Sequence, residues 1–342
     1  MKIWSKGAIL TITCAIAAAM ILPGRAQNYP SGPVTLVIGN PAGGAGDIIA
    51  GAISEKLAKA LGQPVNIEYR SGASGAIGAS KVARAAPDGR TLLLGQTTEI
   101  VISRALAREI GYDPESDFLP VALLATMPLA LIVPNNAQYS TIEELLEASR
   151  SSPRGLSFAS TGAGTPGHLA GELLRIRTSG RFTHVPFDGG AQALNAVLNN
   201  RVDFHFQALP TAMPEVRAGK LKILALSSAQ RSPAVPNVPT IEESGIKDFD
   251  VTLWAGIFAP RRTPSEIVTR INREIDRILA QPDVQESLTR AGAERRSMSV
   301  PEFMTFVRSE TDRYDAFIKQ EFCSRLLYGG CGGLGAAINL LP

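Results

Sequence analysis

Short β-branched runs alternate with helical stretches along the chain, and this alternation confines it to an α/β fold whose sheets are mostly parallel and flanked by helices. Val34–Gly39 reads as a strand, after which a glycine-rich turn leads into a helix from about Asp47 to Leu61. Ile49, Ile53, Leu57 and Leu61 fall on one face of that helix, and Gly62 with Pro64 stops it. Val65–Tyr69 is a second strand, Gly75–Ala86 a helix and Thr91–Gly95 a third strand. Leu129–Val133 is almost wholly apolar, as suits a strand covered on both faces. Leu156–Ala159, Thr183–Phe187, Val202–Phe206 and Leu221–Leu226 continue the series, with helices near 141–150, 167–177, 190–199 and 212–218. Thr263-Pro264-Ser265-Glu266 and Ser299-Val300-Pro301-Glu302 each have the spacing of a capping box with proline in the first turn. Pro/Gly/Ser clusters near 126–136 and 227–240 read as two crossings between lobes. The first lobe is then discontinuous, 27–127 with 229–320, and the second is 128–228.

The start of the chain has another character. Lys2 and Lys6 precede an uncharged, mostly apolar stretch from Gly7 to Leu22, and Pro23-Gly24-Arg25-Ala26 follows with small residues before a cut after Ala26. Residues 1–26 therefore read as a cleaved secretory signal peptide, too short in its apolar run to span a bilayer. Lys+Arg is 34 against Asp+Glu 31, and the leader supplies Lys2, Lys6 and Arg25 without any acid. Removing those three leaves 31 against 31, so the basic balance belongs to the leader and a nucleic-acid-binding surface loses its compositional support. Past the leader only Cys323 and Cys331 occur, so an exported chain of this size does not fold on disulfides. Both lie in the stretch 321–342, glycine-rich and apolar, which reads as an atypical tail.

The familiar signatures of catalysis are missing. There is no phosphate-binding loop with its lysine, and Gly44-Ala45-Gly46 has Ile49 where a dinucleotide fingerprint needs its third glycine. Gly72-Ala73-Ser74-Gly75 places its second glycine one residue early for a nucleophile elbow. His168, His184 and His205 form no i, i+4 pair, and no Cys/His cluster spaces out a metal site. No metal, cofactor or catalytic residue is expected.

What the chain does contain is a set of Gly/Thr/Ser turns between strands and helices: Pro41–Asp47, Gln96-Thr97-Thr98, Ser160–Thr165 and Asp188-Gly189-Gly190. Ligands of open α/β sheets bind beyond the carboxyl ends of the strands. There a helix N-terminus offers unpaired backbone N–H groups and about half a positive charge. Several such turns facing one cleft would trap a small anion without an acid or a base. Each turn alone is also a plain capped connection. Asp47 reads equally as an N-cap or as a cleft residue that would take an ammonium group. His168 fits a cap as well as a contact, Trp254 and Phe187 fit core as well as cleft, and Arg70 reads as a solvated loop charge.

These turns also carry a resemblance. Tyr29-Pro30 leading to Pro41–Asp47, Leu61-Gly62-Gln63-Pro64-Val65, Gly72–Ala79, Ala86–Leu92, Tyr112-Asp113-Pro114 with Asp117-Phe118, and Ser160–Gly164 with His168-Leu169-Ala170 occur in one order. Val185-Pro186-Phe187, Pro236–Thr240 and Trp254-Ala255-Gly256 with Ala259-Pro260 complete it. From about Tyr29 to Lys319 the chain resembles the substrate-binding proteins of tripartite tricarboxylate transporters, the Bug (TctC) family of periplasmic solute receptors. The resemblance implies a two-lobed periplasmic binding protein of type II-like build, monomeric and without catalytic activity. Such a receptor captures a small carboxylate between its lobes (a di- or tricarboxylate, an amino acid or an aromatic acid) and delivers it to membrane transporter subunits. It also implies the contacts: Gly43, Gly44, Asp47, Thr97 and Thr98 from the first lobe, and Thr161, Gly162, Gly164, Thr165 and His168 from the second, with Phe187, Asp188 and Gly189 behind them. Asn40, Tyr69, Ser71 and the loop Gln96–Glu99 depart from the family pattern. A receptor that signals to a membrane sensor shares the same cleft, and an exported enzyme would need Asp47, His168 or Asp188 to work on a small acid.

Overall fold

The computed structural model describes residues 29–106 and 110–320. The leader, both late cysteines and the tail 321–342 lie outside the described residues.

Ten strands form one curled sheet in the order Val65–Tyr69, Val34–Ile38, Thr91–Gln96, Thr252–Pro260, Phe118–Pro134, Phe204–Ala208, Leu156–Ser160, Phe182–Pro186, with Leu221–Leu226 and Glu294–Arg295 also pairing Phe118–Pro134. The first half holds β1 (Val34–Ile38), α1 (Ala45–Leu61), β2 (Val65–Tyr69), α2 (Ala76–Ala83) and β3 (Thr91–Gln96). The stripe that predicts α1 is buried, and Gly62 ends the helix in the left-handed conformation at φ 71. β4 (Phe118–Pro134) then runs 17 residues and joins both halves. Its residues Phe118–Pro128 pair antiparallel with β9 (Thr252–Pro260), while from Leu129 onward it pairs with β7 (Phe204–Ala208) and β8 (Leu221–Leu226). Nearly every side chain from Val121 to Val133 is buried, which is why so long an apolar run can stay one strand.

The second half adds α3 (Ile142–Ser151), β5 (Leu156–Ser160), α4 (Pro166–Thr178), β6 (Phe182–Pro186), α5 (Gly190–Leu198) and α6 (Leu209–Arg217). After β9 the chain returns to the first half with α7 (Ser265–Leu279), α8 (Pro282–Ala291), β10 (Glu294–Arg295) and α9 (Val300–Ile318). Parallel pairing holds for β2-β1-β3 and for β6-β5-β7. The strands that carry the chain between halves run antiparallel to their neighbours, so the sheet as a whole is mixed.

Ser227 stitches the two crossings. Its Oγ accepts the Leu129 N–H at 3.0 Å and donates to the Val251 carbonyl at 2.6 Å. Its backbone N–H donates to Leu129 O, and its carbonyl accepts from Val251 N. Segment 228–250 packs on the second half: Thr240 bridges Leu226, and Phe249 stacks on Phe206 with ring centroids 5.9 Å apart.

One local expectation comes out differently. Thr263 does not cap α7, because Pro264 is itself the N-cap residue and sets Thr263 one position too early. The Thr263 hydroxyl is buried without a hydrogen bond. The Ser299–Glu302 capping box on α9 forms in both directions. Trp254 belongs to the core: its ring is packed among Phe258, Phe303 and Phe306, and Nε1 donates to Glu310 at 3.0 Å.

Candidate functional site

The two halves face each other across a cavity of about 220 Å³ at the carboxyl ends of β1, β3, β5, β6 and β7. Four helices start at its wall. Gly44 and Ala45 open α1, Pro166 and Gly167 open α4, Gly189 to Ala191 open α5, and Ala208 with Thr211 opens α6. None of these four N-termini has a side-chain cap. The first-turn amide hydrogens of a helix have no intrahelical acceptor, and each terminus carries about half a positive charge. The wall is otherwise apolar or neutral: Pro41, Ala42, Leu129, Phe206 and Leu253 alternate with Asn40, Gln96, Gln192 and Gln207. Among the described residues lining it, the charged side chain is Asp188. The field inside the cavity therefore comes from backbone dipoles, without help from a lysine or arginine.

Of the residues expected at the site, Gly44, Thr98, Thr161, Asp188 and Gly189 line the cavity. The others shape it from behind. Asp47 accepts the Gly43 N–H at 2.8 Å and the Tyr69 hydroxyl, so it is held at the outer side of the first turn. Thr97 is buried, and its hydroxyl accepts the Trp254 N–H at 3.0 Å, which ties the end of β3 to β9. Gly162 (φ 125) and Gly164 (φ 71) need the freedom of glycine to make the loop before α4. Thr165 donates to the Gly162 carbonyl at 2.7 Å, and His168 Nδ1 accepts the Gly164 N–H at 2.9 Å. The His168 ring lies 4.1 Å from that of His184, whose Nε2 is 2.6 Å from Ser160 Oγ. Phe187 packs toward the cluster of Val197, Leu209 and Leu226, and Arg70 is an exposed partner of Glu68. Neither Asp47 nor His168 lines the cavity.

Residues unread in the sequence also line it. Gln207, Ala208 and Thr211 sit at the junction of β7 and α6, which contains no glycine, so the sequence pattern leaves it between a strand ending at Phe206 and a helix starting near 212. Pro210 in the first turn of α6 was the available signal. Asn40 and Gln96, two of the departures from the family pattern, face the cavity, while a third, Tyr69, holds Asp47. Gln96 Nε2 is buried without a partner, a donor stranded at the wall.

Buried ionisable groups stand just behind the lining. Burial pushes the Glu99 carboxyl up to about 8; its Oε1 accepts the Gln96 N–H at 2.9 Å, while Oε2 is unpartnered beside Gly75. Burial first, and then their mutual repulsion in the case of His184, lowers His184 and His205 to about 4. The cavity is thus backed by neutral groups near pH 7, which leaves the helix termini unopposed except by Asp188.

Residues 49–322 match the tripartite tricarboxylate transporter family receptor. The chain belongs to this family. The receptor is 37% identical over 308 residues to a UPF0065 protein encoded in the tcbD-tcbE intergenic region of a Pseudomonas species, a match covering 90% of this chain and 91% of the relative. Among solved structures, an R. palustris protein with adipate superposes with TM-score 0.83 at 33% identity, covering 86% of the receptor and 98% of that chain. MatC from Rhodopseudomonas palustris with bound malate gives 0.78 at 35% identity, covering 85% and 100%. The fold of the receptor is that of periplasmic binding proteins, as the motif order implied.

Proposed function

We propose that the receptor binds a small carboxylate in the cavity between its halves, in the periplasm, and delivers it to membrane subunits of the tripartite tricarboxylate transporter type. The observation that carries this reading is the meeting of four uncapped helix N-termini at one cavity whose lining, among the described residues, contains no cationic side chain. Backbone N–H groups of that kind bind carboxylates without a counter-charge from a side chain. The stranded Gln96 Nε2 adds a donor. The lobes in this reading divide at Pro128/Leu129 and at Asp250/Val251, with 228–250 assigned to the second lobe. Gly44, Thr98, Thr161, Asp188 and Gly189 touch the ligand, and Gly43, Asp47, Thr97, Gly162, Gly164, Thr165, His168 and Phe187 hold the turns that reach it. The solved relatives with adipate and with malate agree in ligand class.

A thermal-shift screen of the purified protein against di- and tricarboxylates, amino acids and aromatic acids tests it. At a hundredfold excess over Kd a true ligand stabilises by about 2.7 kcal/mol, a shift of a few degrees. If no acid raises Tm while neutral analogues do, the reading is wrong.

A further inference from the structure

Gln207 lines the cavity although its side chain is almost wholly buried, at 2% exposure. Two residues earlier on the same face of β7 stands His205, with no exposed surface. His205 Nδ1 lies 2.7 Å from the Ala159 carbonyl oxygen, and Nε2 lies 2.6 Å from the Gln207 amide, placed with Oε1 nearest. A carbonyl can only accept, so the ring proton facing Ala159 is on Nδ1. A second proton on Nε2 would make a buried imidazolium, and burial opposes that, holding His205 at about 4. His184, across this layer, is itself held neutral by burial. With one proton on the ring, Nε2 is an acceptor and its contact at 2.6 Å needs a donor. Only the NH2 end of Gln207 supplies it, and a half-turn of the amide, which keeps the same volume, brings it there.

That half-turn points Oε1 at the cavity. A β-carbon on Gly190 would lie 3.2 Å from the amide atom on that side, so the oxygen rests beneath the N-terminus of α5. Partial positive charge there favours oxygen over NH2. The oxygen has two lone pairs with which to accept from a ligand. Asp188, a second acceptor, lines the same cavity.

We propose that His205, acting through Gln207, makes this part of the cavity a hydrogen-bond acceptor, so that the receptor selects a carboxylate which also carries a hydroxyl or ammonium donor over the same acid without one. The proposal rests on the carboxylate reading and narrows it. The helix N-termini and Gln96 Nε2 take the anionic end, while Gln207 Oε1 and Asp188 take the donor. His205 is a positioning residue, since it fixes the amide without touching the ligand. A buried acceptor left unpaired by the wrong acid discriminates strongly, by at least about tenfold.

Two measurements test this. Nitrogen-15 NMR of the ligand-free protein reads the His205 tautomer directly: a single proton on Nδ1 between pH 5.5 and 8 is expected, and an Nε2–H tautomer or a doubly protonated ring overturns the proposal. Calorimetry then compares matched probes, succinate against L-malate and L-aspartate, and adipate against 2-aminoadipate. Wild-type protein should favour one donor-bearing acid over its plain partner by about tenfold or more, and which one wins separates hydroxyl from ammonium. Gln207→Met should bring that ratio within about threefold. His205→Phe, which frees the amide to turn, should do the same, and the Gln207→Met result stands alone if that variant does not fold. A ratio near one in wild type, or one that survives Gln207→Met, overturns the proposal and leaves the carboxylate reading intact. Failure of all these acids to bind, with neutral analogues binding instead, removes both.

Discussion

Pro41 Cγ lies 3.4 Å from the place a β-carbon on Gly189 would occupy, so a side chain there would bring the turn before α5 of one half into contact with the first strand-to-helix turn of the other. Gly189 has φ 117, a region that side chains rarely adopt. Gly189→Val should therefore cost about 1–3 kcal/mol in backbone strain and lower ligand affinity by roughly tenfold or more. Adding Pro41→Ala should recover affinity by relieving the contact but leave the loss of stability unchanged. Calorimetry and urea unfolding of the single and double variants separate the two effects.

Gly44 offers a cleaner probe of the backbone cradle. Its φ of −78 is open to any residue, and the nearest atom to an added β-carbon is the Pro41 carbonyl oxygen at 3.4 Å. Gly44→Val should keep Tm within a few degrees while weakening binding by about tenfold, because the side chain stands over the first amides of α1. Unchanged affinity would argue that α1 does not hold the ligand.

At the crossing between halves, Ser227→Ala strands the buried Leu129 N–H and Val251 carbonyl that its hydroxyl satisfies. An unsatisfied buried group costs about 1–3 kcal/mol, and the loss should appear in urea unfolding as a lower midpoint with an unchanged slope.

Stability should peak near pH 6.5. Between pH 8 and 6.5 Glu99 takes up its proton in the folded protein while the unfolded chain, with a value near 4.5, stays ionised, so acidification stabilises. One group over that window amounts to roughly 2 kcal/mol. Below 6.5 the unfolded chain gains two protons at His184 and His205 that the folded protein does not accept until about pH 4, and this outweighs the single Glu99. Thermal unfolding from pH 4.5 to 8.5 should show the maximum, and Glu99→Gln should flatten the alkaline side. A Tm that climbs steadily to pH 8 would contradict the assignment.

Glu310 joins Trp254 Nε1 at 3.0 Å to Arg313, whose Nε and Nη2 donate to it at 2.8 and 2.9 Å. Glu310→Ala leaves the half-buried Arg313 without its counter-charge and the buried Trp254 Nε1 without an acceptor, and should cost about 1–3 kcal/mol, with altered Trp254 fluorescence. Glu310→Gln, which keeps an acceptor, should cost less.

Most of the fold was legible because the periodic stripes answer to local physics: Ile49, Ile53, Leu57 and Leu61 on α1 are all buried. β9 was not, since Gly256 interrupts its β-branched character; the missing side chain makes room for the Phe303 ring, a contact set 47 residues further on. The glycine turns marked the cleft, but glycine alone does not say which way a neighbouring side chain points. Asp47 and Thr97 find partners in Tyr69 and Trp254, long-range pairings that no spacing rule carries. Gln207 gave no signal at all, because its role depends on His205 beneath it and on Gly190 across from it.

Pro128 and Thr252 are partners across β4 and β9, so the chain leaves the first half and re-enters it at adjacent points of one sheet. The stretch 129–250 is thereby an insert with neighbouring ends. Neighbouring ends are what would let such a stretch be exchanged for that of a relative as one piece. Grafting such inserts would let half of the ligand's surroundings be changed at a stroke while the other half stays fixed.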